Sequence, residues 1–159
     1  MKVFVICDTE YGNTWKLATE MAETLRPYAE EVTTVKAADA LGMSLAGYDL
    51  LLVGGPTQGH GISPRVKAVL EGVPGNGLRG IPALAFDTRM NMFKLLTGAA
   101  SEGIAHRLTE LGATMLLPPE SFIVAGGEGP LMEGELERAA AWVRSPQVLG
   151  ALHATVATP

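Results

Sequence analysis

The feature that most constrains this chain of 159 residues is a regular alternation of short apolar runs with amphipathic segments. Between the runs, apolar residues recur every three to four positions, which predicts helices. Strands that alternate with helices form a parallel sheet covered on both faces, so the chain is predicted to be α/β. The predicted strands are 2–7, 31–36, 50–54, 81–86 and a fifth over 114–125 that Pro118 and Pro119 interrupt.

The helices are delimited by familiar end signals. Ser63 is predicted to cap the third helix with Pro64 at its first position, and Gly112 is predicted to end the fourth. The predicted helices are 13–28, 38–46, 64–73, 101–111 and 133–143. Residues 1–145 therefore form one predicted domain, and the tail 146–159 shows no clear period and is left without a predicted structure.

Composition excludes several classes of protein. Apolar residues make up 47% of the chain and charged residues 18%, which is typical of a globular domain. No apolar run is long enough to span a membrane, so a cytoplasmic location is expected. The 12 basic residues form no cluster, which argues against nucleic-acid binding. The lone Cys7 and the three histidines have no metal-ligand spacing, so no metal site is predicted.

Ligands of open α/β sheets bind outside the carboxyl ends of the strands. In this chain those ends lead into loops 8–13, 55–62, 87–97 and 126–132, all of which contain Gly, Thr, Asn or Pro. Loops of this composition on a rigid sheet indicate a binding rim.

The first of these loops has the residues that a phosphate group requires. It reads Thr9-Glu10-Tyr11-Gly12-Asn13-Thr14 between a strand and a helix. A helix N-terminus offers amide donors and a favourable dipole, and threonine hydroxyls add further donors. The lysine spacing of a P-loop is absent. The alternative is that Asn13 or Thr14 only caps the helix.

A Gly-x-Gly-x-x-Gly pattern occurs at residues 75–80. It follows a predicted helix and precedes a predicted strand, which is the reverse of the context that dinucleotide binding requires. The pattern is therefore not interpreted as a nucleotide site.

Taken together, the first loop, the run Leu-Leu-Val-Gly-Gly-Pro-Thr-Gln-Gly at 51–59 and Ile62-Ser63-Pro64 resemble the flavodoxin family. The resemblance covers about residues 2–145. It implies a flavodoxin-like three-layer sandwich, with a five-stranded parallel sheet of order 2-1-3-4-5 and helices on both faces. It also implies FMN as the cofactor and no catalytic residue.

The resemblance assigns parts of an FMN site to three loops. Residues 9–14 would hold the phosphate, with Glu10 and Tyr11 acting through their backbone amides. Residues 56–61 would lie beside the isoalloxazine, with the Gln58–Gly59 peptide turning its carbonyl toward N5. Asp87 would accept a hydrogen bond from the ring N3–H. The implied cofactor-binding residues are Thr9, Glu10, Tyr11, Gly12, Asn13, Thr14, Pro56, Thr57, Gln58, Gly59, His60, Gly61, Asp87, Thr88, Arg89 and Asn91.

The chain departs from many flavodoxins in its scarcity of aromatic residues near the implied ring. The loop after the third strand offers His60, and Phe93 lies just beyond residues 88–92. Weaker stacking lowers FMN affinity and destabilises the reduced anion less, and Arg89 can stabilise that anion. These features predict a less negative low potential than that of acidic, aromatic-lined flavodoxins.

The resemblance implies an electron-transfer flavoprotein that cycles FMN between oxidised, semiquinone and reduced states. Its partner would be a redox protein, either a reductase or an acceptor. The chain itself would be an electron carrier rather than an enzyme with its own small-molecule substrate. One alternative is an FMN-dependent quinone or protoporphyrinogen-type oxidoreductase, in which Arg89 and Lys94 receive an anionic substrate. Another is a non-redox binding domain of the same fold.

Overall fold

A computed structural model of the chain describes residues 1–154. The strands are β1 (Lys2–Cys7), β2 (Glu31–Lys36), β3 (Leu50–Pro56), β4 (Pro82–Met90), β5 (Thr114–Met115) and β6 (Glu120–Val124). The helices are α1 (Asn13–Leu25), α2 (Ala37–Ala40), α3 (Pro64–Glu71), α4 (Lys94–Thr97), α5 (Ala100–Glu110), α6 (Glu135–Val143) and α7 (Pro146–Ala154).

The strands form one parallel sheet in the order β2-β1-β3-β4, with β5 and β6 both paired to β4. β5 pairs with the start of β4 at Pro82 and Ala83, whereas β6 pairs with its end from Phe86 to Met90. The two short strands therefore occupy the fifth position in succession, separated by a stretch that contains Pro118 and Pro119. The predicted order 2-1-3-4-5, interrupted in its last strand, is confirmed.

Successive residues of the central strands point to opposite faces of the sheet, as a pleated strand requires. Val3 and Val5 of β1 pack in a core with α1, α6 and α7, while Phe4 and Ile6 pack on the other face with α3 and α5. Both faces of the sheet are therefore covered, which explains why these strands are apolar without alternation.

The C-terminal tail contains a helix that the sequence pattern did not predict. Val148 and Leu152 of α7 are buried in the core beside α1 and α6. Residues 155–159 lie outside the described residues. The helix was missed because its apolar positions give no clear amphipathic stripe in the sequence.

Several element boundaries differ from the prediction. α1 ends at Leu25, before a 3-10 turn that contains Pro27, and α2 ends at Ala40, shortly before Gly42 at φ 78°. Ser63 stands at the cap position of α3, but its hydroxyl makes no hydrogen bond. The change that matters for the site is in β4, which continues past the predicted end at Phe86 to Met90 because β3 and β6 both pair with this extension.

Over residues 1–154, no helix has both the length and the apolar character needed to cross a membrane. The same residues contain no group of His, Cys, Asp or Glu side chains placed to hold a metal ion.

Candidate functional site

A cleft of about 380 Å³ lies at the carboxyl ends of β1, β3, β4 and β6. The fold thus brings together most of the residues that the resemblance assigned to a cofactor. Those that line the cleft are Thr9, Glu10, Tyr11, Asn13, Thr14, Pro56, Thr57, Gln58, Gly59, His60, Thr88 and Arg89. Gly12, Gly61, Asp87 and Asn91 do not line it.

The prediction omitted some residues that line the cleft. These are Met90, Met92, Leu96, Thr97, Val124 and Gly127. All but Val124 lie in, or at the edge of, the predicted rim loops 87–97 and 126–132, so loop position was a sufficient signal. Val124 was missed because it belongs to β6 and its apolar side chain reads as core.

The loop after β1 holds its shape through a bond within itself. The Gly12 amide donates to Thr9 Oγ1 at 3.0 Å, and Gly12 adopts φ 89° immediately before α1. Gly12, not Asn13 or Thr14, is the N-cap residue, and no side chain caps the helix. The alternative that Asn13 or Thr14 serves as a cap is therefore wrong.

Several backbone amides at this helix start have no internal partner. Within the described residues, the N–H groups of Glu10, Tyr11, Asn13 and Thr14 make no intramolecular hydrogen bond. Unpaired amides at an open helix N-terminus, together with the dipole of the helix, form a site suited to an anion. These residues therefore fit the phosphate of a nucleotide.

Side chains of the first loop also tie it to its neighbours. The hydroxyls of Thr14 and Thr88 are 2.8 Å apart and buried, which joins the start of α1 to β4. Asn13 Nδ2 donates to the Glu128 carbonyl at 3.1 Å. These contacts tie the loop to β4 and to the loop that follows β6.

The loop after β3 forms a tight turn. The Gln58 amide donates to the Gly61 carbonyl and the Gly61 amide to the Gln58 carbonyl, both at 3.0 Å. Gly59 at φ 54° and His60 at φ 68° give this turn the left-handed pair of residues found in type I′ turns. The Gln58 carbonyl is thus already engaged, so rotation of the Gln58–Gly59 peptide would break the turn.

Asp87 is not in the cleft, which corrects its predicted place beside a ring N3–H. Its side chain is fully buried on the α5 side of the sheet, where Oδ2 accepts from the Ser101 amide at 2.7 Å. The sequence suggested a loop at this point, but the extended β4 turns the carboxylate toward the N-terminus of α5 instead.

Burial raises the pKa of Asp87 above its ordinary value. The Ser101 amide, the nearby hydroxyls of Ser101 and Ser121, and the charge of Arg89 lower that pKa by a smaller amount. Neither hydroxyl makes a hydrogen bond of standard geometry, and Oδ1 has no partner within the described residues. Desolvation therefore dominates, because only one oxygen of the carboxylate is satisfied.

Arg89 lies near the end of β4 on the cleft wall, and its side chain folds onto the segment that follows it. Nη1 donates to the carbonyls of Met92 at 2.8 Å and Met90 at 3.3 Å, and Nε is buried. A second, more open cavity of about 610 Å³ adjoins the cleft and shares Arg89, Met92 and Leu96 with it. Asn91, Phe93 and Lys94 complete the lining of this cavity.

Sequence comparison identifies no relative: no family model matches the chain. No curated protein matches it either.

Comparison with solved structures does give matches. A flavodoxin from the domain Archaea superposes with a TM-score of 0.73 at 16% identity, covering 96% of this chain and 99% of that one. Flavodoxin 1 from Bacillus cereus gives a TM-score of 0.74 at 17% identity, covering 97% of this chain and 98% of that one. Rubredoxin oxygen:oxidoreductase from Desulfovibrio gigas gives 0.78 at 22% identity, with 99% of this chain matching only 37% of that protein. The chain therefore has the flavodoxin-like fold.

Proposed function

We propose that this chain binds FMN in the cleft and transfers electrons to or from a protein partner. The observation that carries the proposal is the set of unpaired amides at Glu10, Tyr11, Asn13 and Thr14, four residues that line the cleft at the uncapped start of α1. Converging amides stabilise a doubly charged phosphate because the helix dipole and the hydrogen bonds act on the same group.

The rest of the cleft suits the remainder of a nucleotide. Its volume of about 380 Å³ falls within the range of pockets that enclose small ligands. The hydroxyl of Thr9 accepts from Gly12 and keeps its own proton to donate, and Pro56, Thr57 and the turn at 58–61 form an opposite wall. When bound, FMN supplies one- and two-electron chemistry, and the protein binds, orients and shields it.

A role as a carrier is supported by the surface around the cleft and by the proteins that this chain resembles. Tyr11, Met90, Met92 and Leu96 line the cleft and are each at least 40% exposed. Exposed apolar side chains grouped at one opening are typical of a site that contacts another protein. Structures that match nearly the whole chain over their own full length are described as flavodoxins.

The test is FMN retention by a Thr9→Val/Thr14→Val variant. Purified wild-type protein should show flavin absorbance bands after addition of FMN and should release FMN on denaturation. The variant removes the Thr9 hydroxyl, which has a proton to donate, and the Thr14 hydroxyl, whose pairing with Thr88 holds the start of α1 in place, so FMN affinity should fall about a hundredfold. Titration of the apoprotein with FMN, followed by flavin fluorescence, measures this change.

Two control variants separate binding from folding. Thr19→Val/Thr24→Val removes hydroxyls that donate within α1, away from the cleft, and should leave FMN affinity unchanged. Thr14→Val/Thr88→Val removes both members of the buried pair, so no hydroxyl is left unpaired in the core. Unchanged FMN retention in the Thr9→Val/Thr14→Val variant would refute the proposal, and a wild-type protein that takes up no FMN would favour a non-redox binding domain.

The second cavity favours an enzyme as the alternative function. Arg89 and Lys94 stand beside exposed Phe93 there, which suits an apolar anion next to the cleft. Rapid turnover of a quinone with NAD(P)H by the isolated FMN-loaded protein would select this alternative. Turnover no faster than that of free FMN would leave the carrier as the better function.

A further inference from the structure

We propose that Arg89 sets the reduction potential of the bound cofactor, as a fixed positive charge that favours the reduced form. The inference rests on the proposed FMN site. It concerns a specific residue that lies at the junction of the cleft and the second cavity and lines both.

The guanidinium of Arg89 is held in place by its own loop. Nη1 donates to two main-chain carbonyls, those of Met90 and Met92, and the Met92 amide donates to the same Met90 carbonyl at 2.8 Å. Nε is enclosed by protein, and Nη2 makes no hydrogen bond within the described part of the chain. The charge is therefore anchored without an acidic partner, and Nη2 of this cleft-lining side chain keeps its donors unused.

No acidic side chain of the described residues forms a salt bridge with Arg89. Glu10 also lines the cleft, but it lies in the loop after β1 and accepts from Gln58 Nε2 at 2.7 Å. Lys94 lines the second cavity, where Glu102 pairs with it at 3.1 Å. Asp87 lies two residues before Arg89 in β4, and its buried carboxylate accepts from the Ser101 amide and forms no salt bridge with Arg89 within the described residues. Among the described residues that line the cleft, Arg89 is the single basic side chain of the lysine or arginine type.

A cation fixed in this way changes the relative affinity for two oxidation states. Two electrons and one proton convert the neutral oxidised ring of FMN into an anion, so a nearby positive charge stabilises only the reduced form. A charge that is already in position acts without reorganisation, and partial exclusion of water strengthens it. The protein should therefore bind reduced FMN more tightly than a chain with a neutral residue at this position.

The experiment compares Arg89→Met, Arg89→Lys and Lys94→Met as FMN-loaded proteins. Each is titrated anaerobically with dithionite against a reference dye, and the affinity for oxidised FMN is measured separately. Arg89→Met should weaken the binding of reduced FMN about tenfold relative to oxidised FMN. That change corresponds to a two-electron midpoint potential about 30 mV lower.

The companion variants separate charge from packing. Arg89→Lys keeps the charge but cannot reproduce the pair of carbonyl bonds, so its potential should stay closer to wild type than to Arg89→Met. Lys94→Met removes the cation at the first residue of α4, which pairs with Glu102 and does not line the cleft, so it should shift the potential less than Arg89→Met does. Equal shifts in Arg89→Lys and Arg89→Met, or an equal shift in Lys94→Met, would overturn the assignment.

Failure of this inference can be told apart from failure of the proposed function. If Arg89→Met binds FMN and keeps the wild-type potential, the role of Arg89 is refuted while the FMN site stands. If the wild-type protein binds no FMN, the proposed function fails, and the role of Arg89 fails with it.

Discussion

The two sides of the cleft hold their shape by different means. On the β1 side, the turn of the loop is formed by residues close in sequence, since the Gly12 amide donates to Thr9 and the Thr9 amide to Asp8, although Asn13 and Thr14 also bond to distant residues. On the β4 side, the wall is held by residues far apart in sequence. Thr57 Oγ1 accepts from the Ala100 amide and Asp87 from the Ser101 amide, which attaches the start of α5 to β3 and β4.

A close backbone contact adds to the long-range character of the β4 side. A Cβ atom at Gly98 would overlap the carbonyl of His60, so the turn at 58–61 rests directly on the chain that leads into α5. At Gly12, on the β1 side, a Cβ atom would meet nothing within 4 Å. A single substitution at Gly12 should therefore disturb few contacts, whereas one at Gly98 should disturb the packing of several elements.

Substitutions at these two glycines should show the largest difference between the two sides of the cleft. Gly98→Ala should lower the free energy of unfolding by about 3 kcal/mol, because a positive φ and a clash with backbone add together. Gly12→Ala has only the positive φ and should cost about 1 kcal/mol. Urea unfolding of the apoprotein measures both values.

The two substitutions also differ in what they should do to the turn at 58–61. Gly98→Ala should change the chemical shifts of residues 58–61, while Gly12→Ala should leave them in place. Equal loss of stability in the two variants would show that the β4 side does not depend on the His60 contact.

The same contrast explains what could be predicted from the sequence. The strands follow from apolar runs such as 2–7 and 50–54, whereas their order is implied by the family resemblance, and loop 9–14 is recognisable by its Thr, Gly and Asn residues between a strand and a helix. The position of Asp87 could not be predicted, because the length of β4 depends on pairing with β3 and β6. A polar pair such as Asp87-Thr88 reads as a loop until the partners Ser101 and Thr14 are known.

Asp87 offers a sharper test of the β4 side through pH. A folded-state pKa raised by burial means that the folded protein binds this proton more tightly than the unfolded chain. The contribution of Asp87 to stability therefore falls as pH rises from about 4 through the raised pKa, and the cost persists above it. Asp87→Asn should remove that cost and gain about 1 kcal/mol at pH 7, with the gain disappearing near pH 4.

The structure gives a reason for the sign and a matched control. An asparagine can still accept from the Ser101 amide and can donate to the unpaired hydroxyl of Ser101 or Ser121, whereas Asp87→Ala loses the acceptor and should be less stable than wild type. Asp39→Asn, at an exposed position of α2, is the matched control for removing a carboxylate from the surface. A gain in Asp87→Asn that is the same at pH 4 and pH 7 would mean that the carboxylate charge is not the cause.

The smallest expected effect comes from Glu135, a carboxylate whose pKa is shifted in the opposite direction to that of Asp87. Glu135 Oε2 accepts from the Ile123 amide at 2.7 Å and from Arg138 at 2.8 Å, and the Arg138 hydrogen bond is the main reason that the pKa of Glu135 is lowered. Its contribution is therefore present above the ordinary glutamate pKa and is lost as pH falls through the lowered value. Because Arg138 is 41% exposed, Glu135→Gln should cost only about 0.5 kcal/mol at pH 7.

Urea unfolding of Glu135→Gln at pH 7 and pH 3, beside exposed Glu137→Gln as the control, measures this effect. The difference from wild type should shrink at pH 3, whereas the difference for Asp87→Asn grows with rising pH because burial, not pairing, governs that group. If the stabilising contributions of both carboxylates decreased on acidification, Asp87 would have to be a paired anion like Glu135. Charge pairing, and not burial, would then govern the stability of the β4 side.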